Sequence, residues 1–245
     1  MSQYDSFISH LMELRDRLLR IVAGFLITFI CLFPFANKLY ALLAQPLLAK
    51  LPAGGQMIAT AVTTPFFVPM KLAMMAALVI SLPHTIYQVW GFVAPGLYAH
   101  ERRFILPVVV SSTLLFLIGM AFAYFLVFPV VFGFITSTAP KGVAVMTDIG
   151  NYLDFVITLF IAFGLAFEVP VVVVLLVRFD VVTVEKLKEV RSYVIVGAFV
   201  LGAIFTPPDV ISQIMLAVPL WLLYEVGVLV AAGFVTRPTS GATPP

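Results

Sequence analysis

The sequence predicts an all-α integral membrane protein: six transmembrane helices in a concave bundle, the fifth and sixth of them short. Composition is the first reason. Of 245 residues, 62% are apolar and only 11% charged, with a mean hydropathy of +1.12. A soluble domain carries about 25% charged residues. The second reason is a succession of six apolar segments, at Leu18–Phe35, Leu72–Ala94, Ile105–Phe128, Phe155–Val177, Tyr193–Phe205 and Val210–Val230. The third is the absence of period-two alternation with frequent turns, which marks a membrane barrel. Only helices and closed barrels satisfy the backbone in lipid, so the segments are helices. One domain over 1–235 is expected, followed by a disordered tail, 236–245, rich in Pro, Thr and Gly.

The first span is preceded by His10-Leu11-Met12-Glu13-Leu14-Arg15-Asp16-Arg17-Leu18-Leu19-Arg20. Leu11, Leu14 and Leu18 share a helical face. Glu13–Arg17 and Asp16–Arg20 are spaced to pair at i,i+4. The apolar segment that follows lacks a small-residue cleavage site at its end, so it stays in the protein as a helix. The next stretch, Ala36–Met70, carries Pro46, Pro52, Pro65, Pro69 and a Gly54-Gly55 turn. Proline at that density argues against a span, and the stretch reads as a cap on the outer surface.

On the second span His84 and Gln88 lie four apart on one face and read as a packed polar pair. The loop behind it reads Phe92-Val93-Ala94-Pro95-Gly96-Leu97-Tyr98-Ala99-His100-Glu101-Arg102-Arg103. Taken alone, Glu101 is a surface acid beside arginines. The third span leads into a second external loop, Thr136–Tyr152.

The fourth span holds the most informative residue. Glu168 is alone in an otherwise uncharged run of apolar character from Phe155 to Val177. A carboxylate at mid-bilayer costs about 2.5–3.5 kcal/mol on insertion scales, so such a residue faces a partner or a wet cavity and marks function by default. Pro170, two residues on, frees a carbonyl one turn earlier and favours a bend. Prolines 83, 129 and 219 lie in or near other spans and suggest kinks or ends.

The fifth span, Tyr193–Phe205, is short for a hydrocarbon core of about 30 Å. It turns into the sixth through Thr206-Pro207-Pro208-Asp209, where Asp209 is placed to cap the following helix. Val200, Ala203 and Ile204 share a face of small or aliphatic residues that suits either a partner helix or lipid. Glu225, near the end of the sixth run, snorkels or pairs at the interface.

Charge sets the orientation. Arg15, Arg17, Arg20, Arg102, Arg103, Arg178, Lys186, Lys188, Arg191 and Arg237 fall on one side, and Lys38, Lys50, Lys71 and Lys141 on the other. The richer side is cytoplasmic, which places both termini there. Cys31 is the only cysteine, so no internal disulfide forms. There is no His/Cys/carboxylate spacing for a metal, no phosphate-binding glycine loop and no nucleophile–base set. No cofactor, nucleic acid or enzymatic activity is expected.

Six stretches, in order, resemble the TatC family of twin-arginine translocase subunits: HLMELRDRLL at 10–19, TPFFVPMKL at 64–72, YQVWGFVAPGLYAHERR at 87–103, GMAFAYFLVFP at 119–129, AFGLAFEVP at 162–170 and TPPDVISQ at 206–213. The resemblance implies a bacterial inner-membrane receptor for signal peptides with paired arginines. It further implies TatA- and TatB-type single-span partners, folded cargo, drive by the proton-motive force and a homo-oligomer within the complex. Glu13 and Glu101 match the acids that recognise the arginines, and Arg15 and Arg17 match basic positions beside them. Pro46, Phe92, Pro95, Tyr124 and Asp209 match positions linked to structure or transport, Phe92 within the signal-peptide site and Pro46 and Asp209 on the external side. Glu168 matches the intramembrane acid. The family pattern often has alanine at Gly91 and Gly96, and no functional change is attached to either.

Chemically, a guanidinium meets a carboxylate through a rigid fork that lysine lacks. The basic surroundings oppose a cationic peptide, and the two acids must overcome that field. The alternative function is a proton-coupled small-molecule secondary transporter using Glu168, which would be expected to show internal repeats and several mid-membrane polar groups. A structural anchor, indifferent to both acids, is the remaining alternative.

Overall fold

The computed structural model describes residues 3–48, 57–93, 105–137, 147–205 and 210–235. The described residues are helical apart from short turns and one isolated β-bridge. Helix α1 (Gln3–Leu32) passes through a 3-10 turn at Phe33–Phe35 into α2 (Ala36–Leu48). Then follow α3 (Thr64–Val93), α4 (Ile105–Phe122), a π-helical turn at Ala123–Val127 and α5 (Phe128–Ser137). The chain continues as α6 (Ile149–Phe167), α7 (Val169–Arg178), α8 (Val184–Glu189), α9 (Arg191–Phe205) and α10 (Val210–Val235).

Among the described residues, five stretches are long and apolar enough to cross a membrane: Ile8–Gln45, Thr64–Phe92, Leu106–Phe134, Ile149–Arg178 and Gln213–Gly233. The sixth apolar helix, α9, has 15 residues, about 22 Å at 1.5 Å per residue. Shortness was expected of the last two spans, and it belongs to α9 alone. With 26 residues, α10 absorbs Pro219 without a break and continues through the apolar run to Val235.

The outer segment is more helical than its prolines suggested. Pro65 falls in the first turn of α3, where its missing N–H is unpaired in any case. Pro69 and Pro83 lie inside the same helix, which begins eight residues before the expected Leu72. Pro46 lies in the last turn of α2. The second external loop is likewise shorter than Thr136–Tyr152, because α5 reaches Ser137 and α6 starts at Ile149. The expected turn at 206–209, including Asp209, lies outside the described residues, as do Pro95, Glu101 and the tail.

The chain forms two compact units, Met1–Leu117 with Ile135–Thr158, and Ile118–Phe134 with Leu159–Pro245. In the first, α1 lies along α3. Thr28 donates its hydroxyl to the Gly24 carbonyl at 2.8 Å, and His84 Nε2 lies 3.2 Å from the Arg20 carbonyl. Gly24 keeps this approach close, since a Cβ there would stand 2.9 Å from His84 Cδ2. The expected His84–Gln88 pair is not made. His84 turns to α1, and the Gln88 amide oxygen is buried with no hydrogen-bond partner among the described residues. Tyr152 donates to the Leu43 carbonyl at 2.8 Å, tying α2 to α6, and Lys71 pairs with Asp154 at 2.7 Å.

Asp148 organises the start of α6. Its Oδ1 accepts from the Gly150 and Asn151 amides at 2.9 and 3.0 Å. Its Oδ2 accepts from the Thr60 amide and hydroxyl at 2.9 and 2.7 Å. A parallel bridge adds Ile58 N to Thr147 O at 3.0 Å and Ile149 N to Ile58 O at 2.9 Å. One side chain thus caps a helix and fastens a strand-like segment beside it.

In the second unit Val173 and Val177 of α7, Val184 and Leu187 of α8, and Tyr224 and Val228 of α10 form one core cluster. Helix α8 was not expected. Thr183 caps it by accepting from the Lys186 amide at 3.3 Å, and Tyr224 holds it by donating to the Leu187 carbonyl at 2.7 Å. Gly227 lets α10 approach α7: a Cβ there would stand 2.8 Å from Pro170 Cα. In the α9–α10 hairpin, Gln213 donates to the Phe199 carbonyl at 3.0 Å.

Candidate functional site

The helix periodicity that puts Leu11, Leu14 and Leu18 on one face sets Glu13 and Arg17 one turn apart. Arg17 donates Nε and Nη2 to the same oxygen, Glu13 Oε1, at 2.9 and 2.6 Å. Its Nη1 lies 3.4 Å from the Gln88 carbonyl of α3, a long contact. The guanidinium occupies space that only a glycine leaves. A Cβ at Gly91 would overlap Arg17 Nη1. Its side chain is 19% exposed against 35% for Glu13, so the arginine is the more enclosed partner. Such a pair is worth roughly 1 kcal/mol, between an exposed ion pair and an enclosed charge-assisted hydrogen bond.

One turn toward the chain start, His10 stacks on Phe92 with ring centroids 4.3 Å apart. Glu13, Arg17, Gln88, Gly91, Phe92 and His10 are therefore brought together at one end of the α1–α3 pair. Arg15 is not part of the cluster. It is exposed and pairs with Asp16 at 2.8 Å. That contact takes the place of the expected Asp16–Arg20 pair. Glu101 lies outside the described residues.

Glu168 interrupts the fourth span. It separates α6 from α7, keeping helical angles (φ −75°, ψ −17°), with its amide on the Leu165 carbonyl at 3.1 Å. Pro170 explains the break, since it cannot donate to the carbonyl one turn back. The carboxylate-bearing residue is half-buried between buried Phe167 and Pro170. Beside it, Leu165, Ala166 and Val169 line an apolar cavity of about 300 Å³ with Leu201, Phe205 and Leu216.

On α9, Val200, Ala203 and Ile204 are all exposed. Val200 and Ala203 line a shallow groove of about 340 Å³ with Val196, Phe199 and Gln213. Glu225 pairs with Arg191 of α9 at 2.6 Å, the pairing alternative expected for it. Pro46 lies in α2, but its side chain lies outside the described residues. Tyr124 sits in the π-helical turn, edge-on to Phe125 and Phe128 at 5.0 and 6.1 Å. Among the described residues no three His, Cys, Asp or Glu stand close enough to hold a metal ion.

Four contributors to these contacts, His10, the Gln88 carbonyl, Gly91 and Asp148, were not among the expected site residues. Gly91 left one signal, a glycine where the family pattern often has alanine. Asp148 left another, an aspartate placed to cap the apolar run that follows it, whereas its bonds to Thr60 and the His10 and Gln88 contacts join residues distant in sequence.

These helices, and the acid set inside one span, define a multi-pass membrane protein. The family model described as "Sec-independent protein translocase protein (TatC)" matches residues 9–219. The chain belongs to that family, whose members are protein translocase components rather than enzymes. It is 58% identical to the Sec-independent protein translocase protein TatC of Azotobacter chroococcum mcd 1, over 92% of this chain and 88% of that protein. To the protein of the same name from Escherichia coli strain K12 it is 54% identical, over 94% and 89%. A crystal structure of a twin-arginine translocase receptor, TatC, superposes with a TM-score of 0.79 at 38% identity, covering 93% of this chain and 100% of that one.

Proposed function

We propose that this chain is the signal-peptide receptor of a bacterial twin-arginine translocase. It binds peptides with two adjacent arginines at the cytoplasmic membrane surface and recruits TatA- and TatB-type single-span partners to export folded proteins with the proton-motive force. The observation that supports this most directly is the half-buried Glu13 carboxylate beside the stacked His10–Phe92 surface, in a chain of this family. One carboxylate receives one guanidinium, and Glu101 is assigned the second. Arg15 stands at the rim. Both termini are cytoplasmic, on the arginine-rich side.

Glu168 meets a polar group of a partner helix. Such interhelical bonds average only about 0.6 kcal/mol in membranes, so the contact sets register and still exchanges. The exposed Val200, Ala203 and Ile204 are the docking face for a partner, and Pro46 and Asp209 serve transport from the external side. The chain acts as a single transmembrane domain over 1–235, in a homo-oligomeric complex.

The test is binding of a labelled paired-arginine peptide to Glu13→Ala and Glu101→Ala, with a paired-lysine peptide as control. Wild-type affinity in both variants refutes the assignment. Unchanged partner crosslinking and export in Glu168→Ala refutes the intramembrane role.

A further inference from the structure

The receptor acid Glu13 has a cation already seated on it, the Arg17 guanidinium. We propose that Arg17 is a resident counter-ion of the receptor site: it occupies Glu13 in the empty protein and must yield that carboxylate to an incoming guanidinium. This rests on the receptor reading. Its geometry is specific to the pair. Nε and Nη2 both converge on Oε1 at 2.9 and 2.6 Å, the fork a peptide arginine would itself present. Nη1 is seated toward the Gln88 carbonyl in the space where Gly91 has no Cβ. With alanine at 91 the guanidinium could not sit there, so this chain's glycine is what makes the seat.

Two effects of Arg17 on an incoming peptide oppose each other. It holds the Glu13 side chain in one place, which favours binding, and it occupies an acceptor and adds a like charge, which disfavour it. The second prevails because the entering group is itself a dication. If the closed pair is populated about ten to one over the open form, apparent affinity falls about tenfold, or about 1.4 kcal/mol. Competition of this kind divides the affinity for arginine and lysine peptides by the same factor. It therefore sets how readily the peptide leaves and does not alter the preference for arginine. A role in positioning Glu13 would do the reverse, weakening binding and eroding that preference.

The experiment is equilibrium binding of a synthetic peptide carrying two adjacent arginines before an apolar segment, and of its paired-lysine counterpart, to the full-length chain in nanodiscs. Arg17→Gln should bind both about tenfold more tightly with the arginine/lysine ratio unchanged. Gly91→Ala should shift the same way by a smaller factor. Its added Cβ meets only the flexible end of Arg17, and alanine favours a helix, so it reports on the seat without endangering the fold. Equal or weaker binding by Arg17→Gln, while Glu13→Ala weakens binding, overturns the inference and leaves the receptor reading standing. Wild-type binding by Glu13→Ala overturns the inference, because Glu13 then receives no guanidinium, and wild-type binding by Glu13→Ala and Glu101→Ala alike removes the receptor reading as well. A gain that persists in the Glu13→Ala/Arg17→Gln double variant also overturns the inference, because the charge would then act elsewhere.

Discussion

Asp148 and Tyr224 each fasten a short element that could not hold itself. Four hydrogen bonds converge on the Asp148 carboxylate, and its pKa is lowered to about 2, first by the Asn151 amide and then by the Thr60 hydroxyl and amide. The folded value lies below the unfolded value of about 3.9, so this carboxylate stabilises the protein above about pH 4. The contribution is lost as pH falls through about 2. The protection of the Thr60 amide, its intrinsic exchange rate divided by the observed one, should therefore fall between those values, and Asp148→Asn should lack that protection already at neutral pH. Slow exchange there in the variant would remove Asp148 from that role. Tyr224→Phe deletes the bond to the Leu187 carbonyl and leaves that buried acceptor unpaired, at a cost of about 1–3 kcal/mol. Denaturant titration in detergent reads it. The Glu13–Arg17 pair was legible from spacing, although the same four-residue spacing at Asp16–Arg20 and His84–Gln88 gave pairs that do not form. The tie from Asp148 to Thr60 was not legible, because the two are 88 residues apart and no local pattern connects them.

Among the elements, the fourth span is where reading and structure agree most closely in cause. Pro170 was expected to disturb the helix, and α6 gives way to α7 at Glu168. The reading did not extend to what fills that neighbourhood, which is the α10 backbone at Gly227. Gly227→Ala brings a Cβ to 2.8 Å from Pro170 Cα and 3.1 Å from Val173 Cβ. Backbone cannot rotate aside, so the helices must separate, at roughly 1–3 kcal/mol. Gly197→Ala, with nothing within 4 Å, should instead be neutral or slightly stabilising. Equal melting temperatures for the two variants would disprove the close approach. Helix α8 escaped the reading because six residues with Lys186 and Lys188 among them carry too little periodicity to separate from a charged loop. Proline density argued for an irregular cap where α2 forms and for a later start of α3, but proline is tolerated in a first turn and in membrane helices.

At the scale of the whole molecule, hydropathy made the membrane class and the six apolar helices legible, because lipid permits so few backbone solutions. What remains is how helices of unequal length share one bilayer. The long spans run from 21 to 38 residues, whereas α9 has 15. At 1.5 Å per residue, α9 falls about 8 Å short of a 30 Å core even when upright. Tilting relieves only excess length, so a short helix thins the bilayer beside it, draws in flanking polar residues or gains a partner, each at fractions of a kcal/mol per Å. Arg191 opens α9 and is held by Glu225, which fixes that end and leaves little freedom to slide. Stability in nanodiscs should therefore rise as the lipid chains shorten from 18 to about 14 carbons and fall with 20-carbon chains, the response being set by α9. Inserting three leucines after Val200 should shift the optimum toward thicker bilayers. A melting temperature independent of chain length, in the parent chain and the extended variant alike, would mean that α9 does not meet lipid along its length and that neighbouring protein covers the shortfall.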